Sequence, residues 1–301
     1  MQKTLISIIG STGIGKTKLA IEMAKHFGTE IISCDSRQFF KEMKIGTATP
    51  TDEELAQAKH HFIGHLSVQD YYSIGQYEED ALEKIEEIFE KNDFAVLVGG
   101  SMMYEKAVVE GLNDLPEANA ENQEKLQKIL DEEGLEKLQE ILKNLDEEYY
   151  NVVHKENPRR LLRAIDVIWQ TGRKYSEIIA EPKHKRDFKV IRIGITAPRE
   201  IMYERINLRV DKMLENGLID EVKSLTEYQK LVPLQTVGYT EIFKYLEGTW
   251  DLDFAVEEIK KNSRRYAKRQ ETWNRKVENV TWLPYDYSEE QLHEILSKIE
   301  K

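Results

Sequence analysis

Cysteine occurs once in this chain of 301 residues, at Cys34, so no internal disulfide is possible and a reducing cytosol is the expected setting. Long apolar runs are missing as well. Nothing approaches the roughly 20 residues of a membrane helix, and Leu5–Ile9 is too short for the core of a signal peptide. The expectation is a cytoplasmic protein that stays where it is made and meets no membrane. Positive charge is in deficit, with a formal net charge of −12. That balance excludes indiscriminate attraction to nucleic acid or anionic lipid, yet it permits a local basic groove. Internal repeats and low-complexity segments are absent, which excludes a solenoid. What remains is 40% hydrophobic and 33% charged, a composition that folds and dissolves well. The length suits one large core carrying a smaller insertion.

Along the first hundred residues, strand and helix patterns alternate. Thr4–Ile9 is a β-branched run of the kind buried on both faces. A helix is expected from Lys18 to Phe27, a strand over Glu30–Cys34, a third strand over His61–Leu66 and a fourth over Phe94–Val98, with helices over Gln76–Lys91 and Met102–Glu110. Strands separated by helices predict a parallel, doubly wound sheet. From Pro116 the strand signal stops, leaving charged helical stretches at Glu121–Glu132, Leu135–Asn144 and Pro158–Gln170. The sheet resumes at Val190–Thr196. Helices follow over Glu200–Asn216, Ile219–Tyr228, Tyr239–Glu247 and Asp251–Val277, then a strand at Val280–Leu283 and a helix at Glu289–Ile299. The fold class read from this order is α/β, a P-loop NTPase-like doubly wound parallel sheet with an all-helical insertion. Its core spans residues 1–115 and 188–301, and the insertion spans 116–187.

Gly10-Ser11-Thr12-Gly13-Ile14-Gly15-Lys16-Thr17 satisfies the pattern G-x-x-x-x-G-K-S/T between a strand and a helix. Glycines let the backbone wrap an anion with its N–H groups, and the following helix adds its positive end. Lys16 supplies a point charge, and the Thr17 hydroxyl suits magnesium. A diphosphate group is therefore expected here. Asp35 ends the second strand beside that loop, where a carboxylate serves a metal, a general base or a helix cap. Asp35-Ser36-Arg37-Gln38 packs four polar side chains at the mouth of the site. The strand Phe94–Val98 ends in Gly99-Gly100 with no acid, which weakens a triphosphate-hydrolysing reading. Ser101 follows at a helix start with its hydroxyl available to phosphate or substrate.

Basic residues gather in three places: Arg264, Arg265, Lys268, Arg269, Arg275 and Lys276, with Tyr266 and Trp273 among them; Arg159, Arg160, Arg163, Arg173 and Lys174; and Lys183, Lys185 and Arg186. Cations interleaved with aromatics suit phosphate backbones and unpaired bases. Solvated helix faces look the same one at a time, so the three clusters argue together. His60, His61 and His65 lack the partners of a zinc site.

Taken together, these motifs resemble the bacterial tRNA dimethylallyltransferases, and the likeness runs nearly the whole chain. It is carried by Gly10–Thr17, Asp35-Ser36-Arg37-Gln38, Met43-Lys44-Ile45-Gly46-Thr47-Ala48, His60-His61, Leu97-Val98-Gly99-Gly100-Ser101 with Tyr104, and Leu115-Pro116-Glu117-Ala118. Asn157-Pro158-Arg159-Arg160-Leu161 with Arg163-Ala164, Arg209 with Met213-Leu214, Gly217 and Leu218, Val237-Gly238-Tyr239, and Arg269-Gln270 with Thr272-Trp273 complete it. The resemblance implies transfer of a dimethylallyl group from its diphosphate to N6 of the adenosine 3′ of the anticodon. It implies Lys16, Arg209, Asp35 and Ser101 as catalytic residues, with Asp35 the general base. The loop Gly10–Thr17 would hold the donor diphosphate, and magnesium, bound through Thr17, would be the cofactor. The tRNA anticodon stem-loop would meet Asp35, Ser36, Arg37, Gln38, Ser101, Gln123, Arg159, Arg160, Leu161, Leu162, Arg163, Arg269 and Trp273, with the target base flipped out of its stack. A monomer is expected. Ser101 stands where the family usually has threonine, Gln123 where arginine is common, Phe39-Phe40 for an aliphatic–tyrosine pair, and Gly64-His65 interrupts an Ile-Asp pair.

Three other readings share parts of this pattern. They are transfer of the prenyl group to AMP, a P-loop kinase of a small metabolite, and an RNA-binding ATPase. A small acceptor needs neither the insertion nor three basic clusters, and γ-phosphate transfer or RNA-stimulated hydrolysis would mark the other two.

Overall fold

The computed structural model describes residues 2–300, which divide into two compact units: 2–109 with 186–300, and Glu110–Lys185. The first unit opens with β1 (Thr4–Gly10), α1 (Lys16–Phe27), β2 (Ile31–Ser33), α2 (Asp52–Leu55), β3 (His60–His61), α3 (Ile74–Phe89), β4 (Phe94–Val98) and α4 (Met102–Glu110). The helical unit holds α5 (Ala120–Glu133), α6 (Leu135–Leu145), α7 (Glu147–Val152), α8 (Pro158–Thr171) and α9 (Tyr175–Ala180). The chain then returns with β5 (Lys189–Thr196), α10 (Arg199–Glu215), α11 (Leu218–Ser224), α12 (Tyr239–Leu246), α13 (Leu252–Asn274), β6 (Val280–Pro284) and α14 (Glu289–Ile299).

The six strands form one sheet in the order β3-β2-β4-β1-β5-β6, and every pairing is parallel. Alternation along the central strands separates two apolar layers. Leu5, Ile32, Ala95 and Leu97 face a core shared with α3, α4, α11 and α12. Ile6, Ile8, Ile31, Val96, Val98, Ile193 and Ile195 face the other, against α1 and α14. Helices thus cover both faces, as the alternating pattern requires. β1 and β4 sit at the centre, buried over nearly their full length, so their C-terminal ends are the stiffest positions from which to hang a site.

One strand is shorter than its apolar run. The expected third strand pairs with β2 only at His60–His61. Positive φ at Phe62 (61°) and Gly64 (57°) turns the backbone off the ladder, and Leu66 returns only as an isolated bridge to Phe40. Polar pairing is well placed beneath the sheet, where buried Glu105 accepts from Ser7 Oγ at 2.8 Å and from Arg192 Nε at 3.1 Å. Arg186, grouped by sequence with a basic surface cluster, is instead an internal anchor. Its guanidinium is nearly buried, donates to the Val108 carbonyl at 2.8 Å and pairs with Glu78.

In the helical unit, α8 starts at the Asn157 cap, whose side chain accepts from Arg160 N at 3.3 Å, with Pro158 in the first turn. Its apolar stripe packs with Leu126, Leu138 and Leu142. Leu161 and Leu162 belong to that stripe, at 0% and 8% exposure. Each packs in the core of the helical unit, and truncating a buried leucine costs ~2–5 kcal/mol. Buried Asp166 ties the unit together, accepting from Asn122 Nδ2 and Gln170 Nε2 at 3.0 Å and from Arg163 Nη1 at 3.2 Å. The unit boundary at Glu110 lies a few residues before the Pro116 expected from composition.

Candidate active site

The loop 10–15 leaves β1 and enters α1 at Lys16, two residues earlier than the helical pattern alone predicts. Gly10, Gly13 and Gly15 have φ of 149°, 75° and 113°, conformations that L side chains rarely adopt. Lys16 folds over the loop and donates to the Ser11 carbonyl at 2.8 Å. Burial pushes its ammonium down to about 8; Asp35 opposes that shift and Arg209 adds to it. Arg209, from α10, donates to Thr12 Oγ1 and to the Thr47 carbonyl, each at 3.1 Å. Arg205, one turn earlier, donates to the Gly13 carbonyl at 2.9 Å. Two guanidinium groups therefore grip a loop that already carries an ammonium.

β2 and β4 deliver the second half. Asp35 follows β2 and its Oδ1 accepts from Arg37 N at 3.2 Å, an Asx-type turn. Gly100 follows β4, and a Cβ there would lie 2.9 Å from Asp35 Oδ2 and 3.2 Å from Gln270 Nε2. Glycine is what lets these three meet. Ser101 accepts from Ser36 N at 2.9 Å and pairs with Ser36 Oγ at 2.9 Å, so the two hydroxyls form one polar unit. Gln38 Nε2 donates to the carbonyls of Thr47 and Ala48 at 3.2 Å.

A cleft of about 1040 Å³ gathers much of this. Its walls include Thr12, Gly13, Gly15, Lys16, Thr17, Asp35, Gln38, Arg209, Tyr266 and Gln270, with Phe40, Ile45, Leu55, Ile63 and Met213 as an apolar side. Gly10, Ser11 and Ile14 instead line a separate cavity of about 320 Å³ behind the loop. Among the described residues no three His, Cys, Asp or Glu side chains converge as a metal cage. Thr17 and Asp35 are among the hard oxygen donors that line the cleft.

The remaining predicted positions lie elsewhere. Arg269 and Trp273 line a shallow groove of about 410 Å³ along α13 with Arg265, Lys268, Thr272 and Lys276. In the helical unit, Arg159 and Arg160 are exposed and line a groove of about 390 Å³ at the start of α8. Arg163 is half-buried and committed to Asp166 and the Pro116 carbonyl. Gln123 is half-buried on α5. Two site residues went unassigned in the sequence reading. Gln270 accepts from Thr12 N at 2.8 Å and donates to the Gly100 carbonyl at 2.8 Å, and Tyr266 Oη donates to that same carbonyl at 2.8 Å. Gln270 stands in the family block Arg269-Gln270 and Tyr266 among the cations of α13, but neither the block nor the charge pattern says what these side chains tie together.

Fold and site together define an α/β enzyme whose cleft lies at the carboxyl ends of parallel strands, where such sheets place their ligands. The family model described as IPP transferase matches residues 38–277. A tRNA dimethylallyltransferase of Christiangramia forsetii is 50% identical over 99% of this chain and 99% of its own. A tRNA isopentenylpyrophosphate transferase of Bacillus halodurans has a similar structure, with TM-score 0.73 at 35% identity over 99% of this chain and 96% of that one. A eukaryotic dimethylallyltransferase acting on tRNA matches with TM-score 0.85 at 27% identity, over 98% of this chain and 79% of its own. The chain belongs to the IPP transferase family, among its bacterial tRNA dimethylallyltransferases.

Proposed function

We propose that this protein transfers a dimethylallyl group from dimethylallyl diphosphate to N6 of the adenosine 3′-adjacent to the anticodon of tRNA, giving N6-dimethylallyladenosine and diphosphate. The observation that carries this reading is the cleft itself, which sets an anion loop with Lys16 and Arg209 beside Asp35, Gln38 and an apolar wall. In the reaction the allylic C–O bond breaks and its electron pair leaves with the diphosphate. The N6 lone pair forms the new C–N bond, and the Asp35 carboxylate takes the amine proton. A base so placed contributes roughly 10²–10⁴-fold. Lys16, Arg209 and the amides of Gly10–Thr17 stabilise the departing charge. Ser36 follows Asp35 in the chain, and the hydroxyl pair it forms with Ser101 is assigned to the substrate side. Gln38 and Arg37 hold the flipped base.

The donors present fit magnesium, which takes one or two protein oxygens and keeps phosphate and water for the rest. Thr17 would hold it, and when bound it would neutralise charge on the diphosphate. For the tRNA, the exposed cations Arg159, Arg160 and Arg269 and the Trp273 ring offer backbone and stacking contacts. Leu161 and Leu162 support that surface from beneath, and Arg163 braces the loop at Pro116.

The test mixes the protein with magnesium, labelled dimethylallyl diphosphate and unmodified tRNA bearing consecutive adenosines beside the anticodon. Label at the 3′-flanking adenosine is the expected result. Label on AMP with none in RNA would assign a nucleotide prenyltransferase instead, and no transfer to either would sink the proposal.

A further inference from the structure

One wall of the cleft is a turn, residues 43–49, whose shape is set from outside the cleft. Glu221, in the first turn of α11, lays its carboxylate against three successive backbone amides. Its Oε2 accepts from Lys44 N at 2.9 Å and Ile45 N at 2.7 Å, and its Oε1 accepts from Gly46 N at 2.9 Å. Tyr239 Oη adds a fourth donor, 2.6 Å from Oε1. The Tyr239 ring is fully buried and packs so closely on Gly46 that a Cβ there would stand 2.5 Å from it. The carboxylate, through the three amides, and the tyrosine ring, against Gly46, thus both hold the turn.

Beyond Gly46 the backbone bends sharply, with Ala48 at φ 46°. Such a conformation is unfavourable for alanine and persists only where its surroundings over-determine it. The bend aims two carbonyls at side chains of the cleft. Gln38 Nε2 donates to Thr47 O and Ala48 O at 3.2 Å, and Arg209 Nη2 donates to Thr47 O at 3.1 Å. Arg209 in turn reaches Thr12 of the anion loop. A single carboxylate outside the cleft is therefore connected, through one short turn, to the residues assigned to both substrates.

From this geometry we infer that Glu221 is a positioning residue for the transfer reaction, clamping residues 44–46 so that the Thr47 and Ala48 carbonyls orient Gln38 and Arg209. The inference rests on the reading of the cleft given above. It explains why a carboxylate stands here. Four donors converge on two acceptor oxygens, a demand that neither an amide nor a hydroxyl meets.

Glu221→Gln keeps the shape and turns one acceptor oxygen into a donor facing other donors. Amide hydrogen exchange over 44–49 is expected to accelerate at least tenfold, with β1 and β4 unchanged. The affinity for inorganic diphosphate is expected to fall about threefold or more. In the prenyl-transfer assay kcat/KM should drop about tenfold. In a Gln38→Ala, Arg209→Lys background the same change should cost less than threefold, because both routes to the substrates are already cut. Tyr239→Phe, which leaves the carboxylate on its three amides, should cost less than threefold and guards against a Glu221→Gln chain that fails to fold. Unchanged exchange over 44–49 overturns the inference. So does a full tenfold loss in the double-variant background, which would mark Glu221 as a support of the fold alone. If the unaltered protein transfers no prenyl group, the reading of the cleft fails separately. Exchange over 44–49 together with diphosphate affinity then decides whether Glu221 positions Arg209.

Discussion

Gln270 and Thr12 are joined by a 2.8 Å hydrogen bond from the Thr12 amide to the Gln270 side-chain oxygen, and the other arm of that side chain holds the Gly100 carbonyl at the same distance. One buried amide therefore fixes the separation between the anion loop and the end of β4. Gln270→Ala takes its partner from the Thr12 amide, at a cost of about 1–3 kcal/mol, while the Gly100 carbonyl keeps the Tyr266 hydroxyl. A clear fall in melting temperature is expected, along with a raised KM for the prenyl donor. A variant with unaltered donor KM would show that Thr12 keeps its place without the tie.

Asp35→Ala is expected to keep tRNA affinity within about threefold while turnover falls about 100-fold or more. Single-turnover rates beside filter binding check both halves at once. Near-normal turnover would remove Asp35 as the base.

Gly100→Ala places a methyl group 2.9 Å from Asp35 Oδ2. Either the carboxylate or the β4 end must shift, and a displacement of about 1 Å at a reacting group costs on the order of 10²-fold. The expected signature is a large loss of kcat with little change in tRNA binding, measured by the same two assays.

Lys16 supplies a pH prediction. Its ammonium, pushed down to about 8 by burial, is lost in the free protein as pH rises through that value. The donor kcat/KM should fall above about 8, and Lys16→Arg should carry the plateau higher because a guanidinium keeps its proton. The stability effect has the opposite sign. The folded value lies below the ordinary 10.5, so between the two the unfolded chain binds the extra proton. Lys16 therefore makes the fold more stable as pH rises across that window. Lys16→Met should abolish that increment in denaturant titrations at pH 7 and 10.

Arg160→Ala should weaken tRNA binding and reduce the steepness of its salt dependence by about one ion, while donor affinity stays unchanged. An unchanged slope would mean that Arg160 contacts no phosphate.

The sequence was most informative where one physical rule acted alone. Phe94–Val98, Met102–Glu110 and Glu289–Ile299 appear at their expected bounds because uniform burial or a clean apolar stripe decides them. Residue type also sufficed for the loop 10–17. Periodicity failed at His61–Leu66, where two left-handed residues override an apolar run. Charge failed at Arg186, whose guanidinium is spent inside the fold on Glu78 and the Val108 carbonyl. The contacts of Gln270 and Glu221 were illegible for another reason. Each acts on backbone atoms at least 170 positions away, and no local pattern carries that relationship.

The Thr12–Gln270 bond spans 258 positions, and this separation bears on how the protein comes into being. On the ribosome, β1 and its loop emerge well before the residue that fixes the loop. A nascent chain can lay down most of its sheet while its anion loop still lacks one strut. Catalytic competence would then be acquired late in synthesis, as a property of the finished molecule rather than of any early fragment.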